Sequence, residues 1–161
     1  MPKTKHSVNH AAIVQRFEDH LRQQDLRLTP QRRRIFDKVY GTHEHFSAET
    51  LYSWLAQEEG PRVSRATVYR TLDMLTKGGF VESLDTGQGE LVYEHVLGHE
   101  HHDHMVCEKC GRIEEFHDER IEELQMEAAR AKGFQVTRHV HRLMGECSSC
   151  AKKSKKKGAS R

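Results

Sequence analysis

Two cysteine pairs, Cys107–Cys110 and Cys147–Cys150, each with CxxC spacing, constrain the second half of this chain more than any other feature. Thiolates at this spacing sit on one tight turn, and two such turns can close a tetrahedral zinc site with no open position. Gly111, directly after the first pair, lets backbone amides approach the thiolates. Free thiols or a redox pair are the plainer alternatives. Two pairs bracketing one small region are better explained by a single shared ion. The stretch from Cys110 to Cys147 is longer than the usual zinc-ribbon gap, but a helix and a strand can fill it. Composition points the same way. Of 161 residues, 35% are hydrophobic and 31% charged, so the chain cannot build a large core and a metal staple would stabilise a small domain.

Just before the first pair lies a histidine cluster: His99, His101, His102, Asp103 and His104. Imidazoles mixed with carboxylates suit Fe(II), Mn(II) or Zn(II). His45, His139 and His141, with Glu94, Glu115 and Glu122, offer further donors elsewhere. A solvated, metal-sticky loop is the bland alternative. The cluster also spells the HxHxDH pattern of metallo-β-lactamase-type hydrolases. Too little chain follows it to build their four-layer fold. No nucleophile-plus-base constellation stands out elsewhere, so the expectation is not an enzyme and no small-molecule substrate.

The first half has no cysteine and reads as helices with short turns. Ile13, Phe17 and Leu21 recur at helical spacing. Thr29 caps a second helix with Pro30 in its first turn, and Ile35, Phe36 and Val39 face inward. Ser47 caps a third, carrying Leu51, Trp54 and Leu55. Ser64 caps a fourth, which Gly78 and Gly79 end. The period then changes to two: residues 80–84 and 90–94 flank a Gly-rich turn and form a hairpin. Helices followed by a hairpin describe a winged helix-turn-helix. On the fourth helix Val68, Leu72 and Leu75 share the docking side. Ala66, Tyr69, Arg70, Asp73 and Lys77 turn outward, with Arg65 near the edge. That is the layout of a recognition helix, although any amphipathic surface helix shares part of it.

The second half is expected to hold a strand at 104–106, a return strand at 112–116 and a helix at 118–132 with Ile121, Leu124 and Ala128 at core spacing. A further strand is expected at 135–144. The fold class is thus α+β: an N-terminal winged helix over residues 1–95, then a small α/β metal-binding dimerisation domain over 96–150 with a four-cysteine zinc site. The lysine-rich residues 151–161 read as a disordered basic tail, with non-specific nucleic-acid affinity as the alternative. Net charge is only +2, so whole-chain charge says little about partners. No secretory signal or membrane-length run is visible, so a cytoplasmic location is expected, where CxxC pairs favour metal over disulfide.

The chain resembles the ferric uptake regulator family of bacterial metal-sensing repressors. The resemblance rests on residues 28–32 (LTPQR), 65–72 (RATVYRTL), 101–104 (HHDH), Cys107–Cys110 with Gly111, residues 114–116 (EEF) and Cys147–Cys150. It covers about residues 10–150. It implies a homodimer that binds a palindromic double-stranded operator when loaded with metal. It implies structural Zn(II) on the four cysteines and a regulatory Fe(II) site, open also to Mn(II) or Zn(II), from His45, Glu94, His102, His104 and Glu115. A further site would comprise His101, Asp103, Glu122 and His139. Tyr69 and Arg70 would enter the major groove beside Arg65, Ala66 and Thr67, and Arg27 falls where the family often places a minor-groove lysine.

About one residue more than usual separates Tyr93 from the histidine cluster, so His95 and His99 stand as alternatives to Glu94. Peroxide sensors of the family usually carry aspartates where this chain has Glu94 and Glu115. Zinc sensors commonly use a further cysteine, and this chain has four in all. Both differences favour iron. A zinc- or peroxide-responsive member, or a metal-storage or zinc-delivery protein, is the alternative.

Overall fold

A computed structural model describes residues 10–98 and 101–158, with side chains to 153. It contains two compact units. One takes in the described residues to Asp85 and from Gly89 to 98; the other holds Thr86–Gln88 and the described residues from 101 onward.

The first unit contains helices α1 (His10–Arg22), α2 (Pro30–Tyr40), α3 (Ala48–Gln57) and α4 (Arg65–Lys77). Its sheet has strands β1 (Phe46–Ser47), β2 (Val81–Asp85) and β3 (Leu91–His95), in the order β1-β3-β2, all antiparallel. The expected caps are in place. Thr29 accepts from Arg32 N, Ser47 from Thr50 N and Ser64 from Thr67 N, each satisfying an amide that the first helical turn leaves open. The end of α4 is a Schellman turn: Gly79 adopts φ +70° while Phe80 N donates to Leu75 O and Gly79 N to Thr76 O. Gly78 is needed for space, since a Cβ there would lie 2.6 Å from the Phe80 ring.

The core of this unit follows from the helical stripes. Phe17 stacks on Phe36 at 5.2 Å and meets Phe80 edge-on at 5.3 Å. Leu21, Ile35, Val39, Leu51, Leu55, Val68, Leu72 and Leu75 close around them, fully or almost fully buried. Each contributes roughly 1.5–3 kcal/mol by leaving water. α4 is therefore anchored along one side only, and its other side is left to solvent.

The second unit is thinner. Strands β4 (Asp103–Cys107), β5 (Ile113–Phe116) and β6 (Arg142–Gly145) form a sheet in the order β5-β4-β6. β5 runs antiparallel to β4, and β6 parallel. Helix α5 (Glu119–Ala131) is capped by Asp118, whose carboxylate accepts from Arg120 N. Pairing with the Arg120 guanidinium lowers the Asp118 carboxyl to about 2.

Three expectations need correction here. The last strand spans Arg142–Gly145 rather than 135–144, because its ladder with β4 starts at His104↔Arg142. Ile121, Leu124 and Ala128 do not form a core: α5 buries no residue, and Leu124 is 63% exposed. A three-stranded sheet this short offers only Val106 and Cys107 as buried hydrophobic residues among those described. Finally, residues 151–158 are not irregular. Helix α6 (Ser148–Gly158) starts on the second cysteine turn, where Ala151 N bonds Cys147 O, and continues through alanine and lysines, both good helix formers.

Candidate metal centres and reading helix

The four cysteines converge because β4 and β6 run parallel. The Cys107↔Gly145 pairing brings the end of β4 beside Cys147, and Glu108 N donates to Gly145 O. Gly111, at φ +70°, turns the chain after Cys110, and one turn of α6 carries Cys150 back. All four Sγ atoms lie within 4.8 Å of one another. Cys110 Sγ and Cys147 Sγ are 3.8 Å apart. A zinc tetrahedron with Zn–S bonds of about 2.3 Å has edges of about 3.8 Å. The donor set and its spacing therefore fit a structural zinc ion. Electrostatics agree. The Cys147 amide, donating to Cys107 Sγ at 3.3 Å, lowers that thiol to about 6, while Cys150 is pushed up to about 12 by the sulfurs of Cys110 and Cys147. Sulfurs this close resist full ionisation unaided, and a dication between them removes the conflict.

A second group comprises His101, Asp103, Glu122 and His139, with one donor atom from each within 4.8 Å of the others. β4 supplies Asp103, the first turn of α5 supplies Glu122, and the approach to β6 supplies His139. His101 Nε2 stands 3.2 Å from Asp103 Oδ1 and 3.5 Å from Glu122 Oε1; His139 Nε2 is 3.2 Å from Glu122 Oε2. Glu122 Oε1 and His139 Nε2 are buried without a hydrogen-bond partner among the described residues, which leaves a lone pair on each open to an ion. Two imidazoles and two carboxylates match Zn(II), Mn(II) or Fe(II).

The five residues expected at the regulatory site form two sets, one in each unit. In the first unit, the Phe46↔Tyr93 pairing of β1 with β3 leads His45 to Glu94, Nε2 to Oε2 at 3.3 Å. His95, next along β3, turns the other way: its ring is buried 4.9 Å from Tyr40 and 5.6 Å from His43. His99 lies outside the described residues. In the second unit the rings of His102 and His104 meet at 5.0 Å, His104 pairs across the sheet with Glu115, and His102 Nε2 is 3.9 Å from Glu115 Oε1.

On α4, Arg65, Ala66, Tyr69 and Arg70 are exposed, while Val68, Thr71, Leu72 and Leu75 are buried. Thr67 is less exposed than Arg65, Ala66, Tyr69 and Arg70. It is half-buried and its hydroxyl meets Ser64 Oγ at 2.9 Å, extending the cap. Arg27 is exposed in the α1–α2 connection, and its carbonyl accepts from the Arg32 guanidinium. Sequence reasoning missed Glu49. Its carboxylate takes Arg65 Nε at 2.9 Å and lies 3.4 Å from the Tyr69 hydroxyl. These contacts join different helices, so no periodicity marks them.

A winged helix joined in one chain to a small α/β unit built on a four-cysteine cluster is the architecture of metal-responsive regulators. The chain belongs to the ferric uptake regulator family, whose model matches residues 23–144. It is 37% identical over 145 residues to the ferric uptake regulation protein of Campylobacter jejuni, covering 89% of this chain and 92% of that protein. The Helicobacter pylori ferric uptake regulator, described as having three functional metal-binding sites, superposes with a TM-score of 0.75 at 28% identity, covering 90% of this chain and 95% of that one. A zinc uptake regulator complexed with zinc and DNA superposes with a TM-score of 0.53 at 26% identity, covering 90% of this chain and 97% of that one.

Proposed function

We propose that this protein is an Fe(II)-sensing transcriptional repressor that binds a palindromic operator as a metal-loaded homodimer. In this reading residues 1–95 are the DNA-binding domain and 96–150 the dimerisation domain. The cysteines hold Zn(II) permanently, and the protein works in the cytoplasm. No helix among the described residues is long and apolar enough to cross a membrane.

The observation that carries the reading is the division of the regulatory donors. His45 and Glu94 belong to the winged-helix unit, and His102, His104 and Glu115 to the other. His102, His104 and Glu115, two imidazoles and one carboxylate, would hold Fe(II) with positions still open, and His45 and Glu94 would fill them. Donors drawn from both units restrict the orientations that the two units sample. That restriction favours the arrangement in which the α4 helices of a dimer match two half-sites. Glu94 and Glu115, where peroxide sensors of the family usually carry aspartate, and the assignment of all four cysteines to one cluster support iron over the peroxide and zinc alternatives. The zinc uptake regulator complexed with DNA supports DNA binding as the output. Homodimerisation is supported by the apolar residues that the second unit leaves exposed, among them Leu124, Phe134, Val140, Leu143 and Met144.

The test is operator binding by full-length protein isolated anaerobically, on an AT-rich palindrome, with Fe(II) or Mn(II) and with chelator. Metal-dependent retardation is expected. Equal binding in both conditions would remove the sensing role, and no binding in either would favour a metal-storage protein.

A further inference from the structure

His141 stands next to the second donor group without belonging to it. Asp103 is almost fully buried, its side chain 1% exposed, and an imidazole faces each of its carboxylate oxygens. Oδ1 is 3.2 Å from His101 Nε2, and Oδ2 is 3.2 Å from His141 Nδ1. An ionised carboxylate only accepts, so the pairing with Oδ2 calls for the tautomer of His141 with hydrogen on Nδ1. Phe116 meets the ring edge-on at 5.7 Å, and Phe116 is the strand partner of Asp103 across β4 and β5. Backbone pairing reinforces this placement, since His104 N reaches His141 O at 3.4 Å just before β6 begins. His141 also lies two residues beyond His139. That spacing puts one ring on Glu122 and the other on Asp103.

We propose that His141 is a positioning residue of the His101–Asp103–Glu122–His139 metal site, fixing the Asp103 carboxylate through Oδ2 so that Oδ1 is presented to the ion. This rests on reading that group as a metal site. A buried carboxylate with one oxygen committed to a ligand role leaves the other needing a donor. Groups that orient metal-bound carboxylates typically change metal affinity by about 10–100-fold when removed.

The experiment is a Mn(II) titration of the zinc-loaded full-length protein, followed by electron paramagnetic resonance to resolve classes of bound ion. Asp103→Ala should abolish one class. His141→Ala should weaken that same class about 10–100-fold and leave any other unchanged. His141→Asn, whose amide can donate from nearly the same place as Nδ1, should restore affinity to within about threefold. If His141→Ala does not fold, judged by circular dichroism, His141→Leu makes the same comparison at closer volume. Unchanged affinity in the alanine or leucine variant, alongside loss in Asp103→Ala, overturns the proposal and keeps the site. Equal loss in His141→Asn and His141→Ala also overturns it, because the imidazole itself would then be required as a ligand. No loss in Asp103→Ala overturns the metal site as well.

Discussion

His45 Nε2 and Glu94 Oε2 stand 3.3 Å apart because β1 and β3 pair at Phe46↔Tyr93, setting residues before one and after the other side by side. One half of the proposed sensor is thus built by sheet register inside the winged helix. These two of the five proposed donors belong to the body that presents α4.

His45→Ala should therefore weaken Mn(II)-dependent operator binding by about tenfold or more, ~1.4 kcal/mol, while metal-independent binding stays as it was. Fluorescence anisotropy with a labelled palindrome measures both. Linkage adds a second check: operator DNA should tighten Mn(II) binding by the same factor as Mn(II) tightens DNA. A metal affinity indifferent to DNA would defeat the mechanism.

Cys107→Ser should act differently from His104→Ala. The second unit buries little apolar surface, so its stability depends on the cysteine-bound ion. The serine variant should lose zinc, read by elemental analysis, and melt far below the wild type. His104→Ala should keep its zinc and its dimer while losing metal-dependent DNA binding. Equal loss of folding in both would make the histidine set structural.

Arg70→Ala and Tyr69→Ala should each weaken operator binding by roughly 1–3 kcal/mol without changing the melting temperature, since both side chains are exposed on a helix anchored by its opposite side. Comparing specific and scrambled DNA separates base reading from phosphate contact. A phosphate contact would weaken both DNAs alike.

Leu124→Glu should convert the dimer to monomer. Leu124 is 63% exposed on a helix with no fully buried residue, and a charge there opposes any apolar partner surface. Sedimentation equilibrium reads the outcome directly. A dimer of undiminished affinity would exclude α5 from the interface.

Leu72→Ala should cost about 2–5 kcal/mol of stability by leaving a cavity where α4 docks, and chemical denaturation measures it. DNA affinity should fall in the same variant only as far as the folded fraction does.

Local physics made much of this protein legible from its residues in order. Thr29, Ser47 and Ser64 cap helices because a hydroxyl before a helix satisfies a nearby amide, whatever the rest of the chain does. The Schellman turn at Gly78–Gly79, the wing and the two CxxC turns are local in the same sense. The second unit was read less well for the opposite reason. Helical spacing on α5 and alternation before β6 mark apolar faces but do not say what covers them, and the described chain fully buries no residue of α5.

What the tertiary structure alone decided are the pairings between distant residues. Alternation along β3 turns Glu94 toward His45 and His95 toward Tyr40, a choice that an extra residue before the histidine cluster left open in the sequence. The same holds for Glu49 against Arg65 and for His141 against Asp103. Donor chemistry is written in residue type and local spacing. Which donors meet depends on strand register, where a slip of one residue sends every side chain to the opposite face.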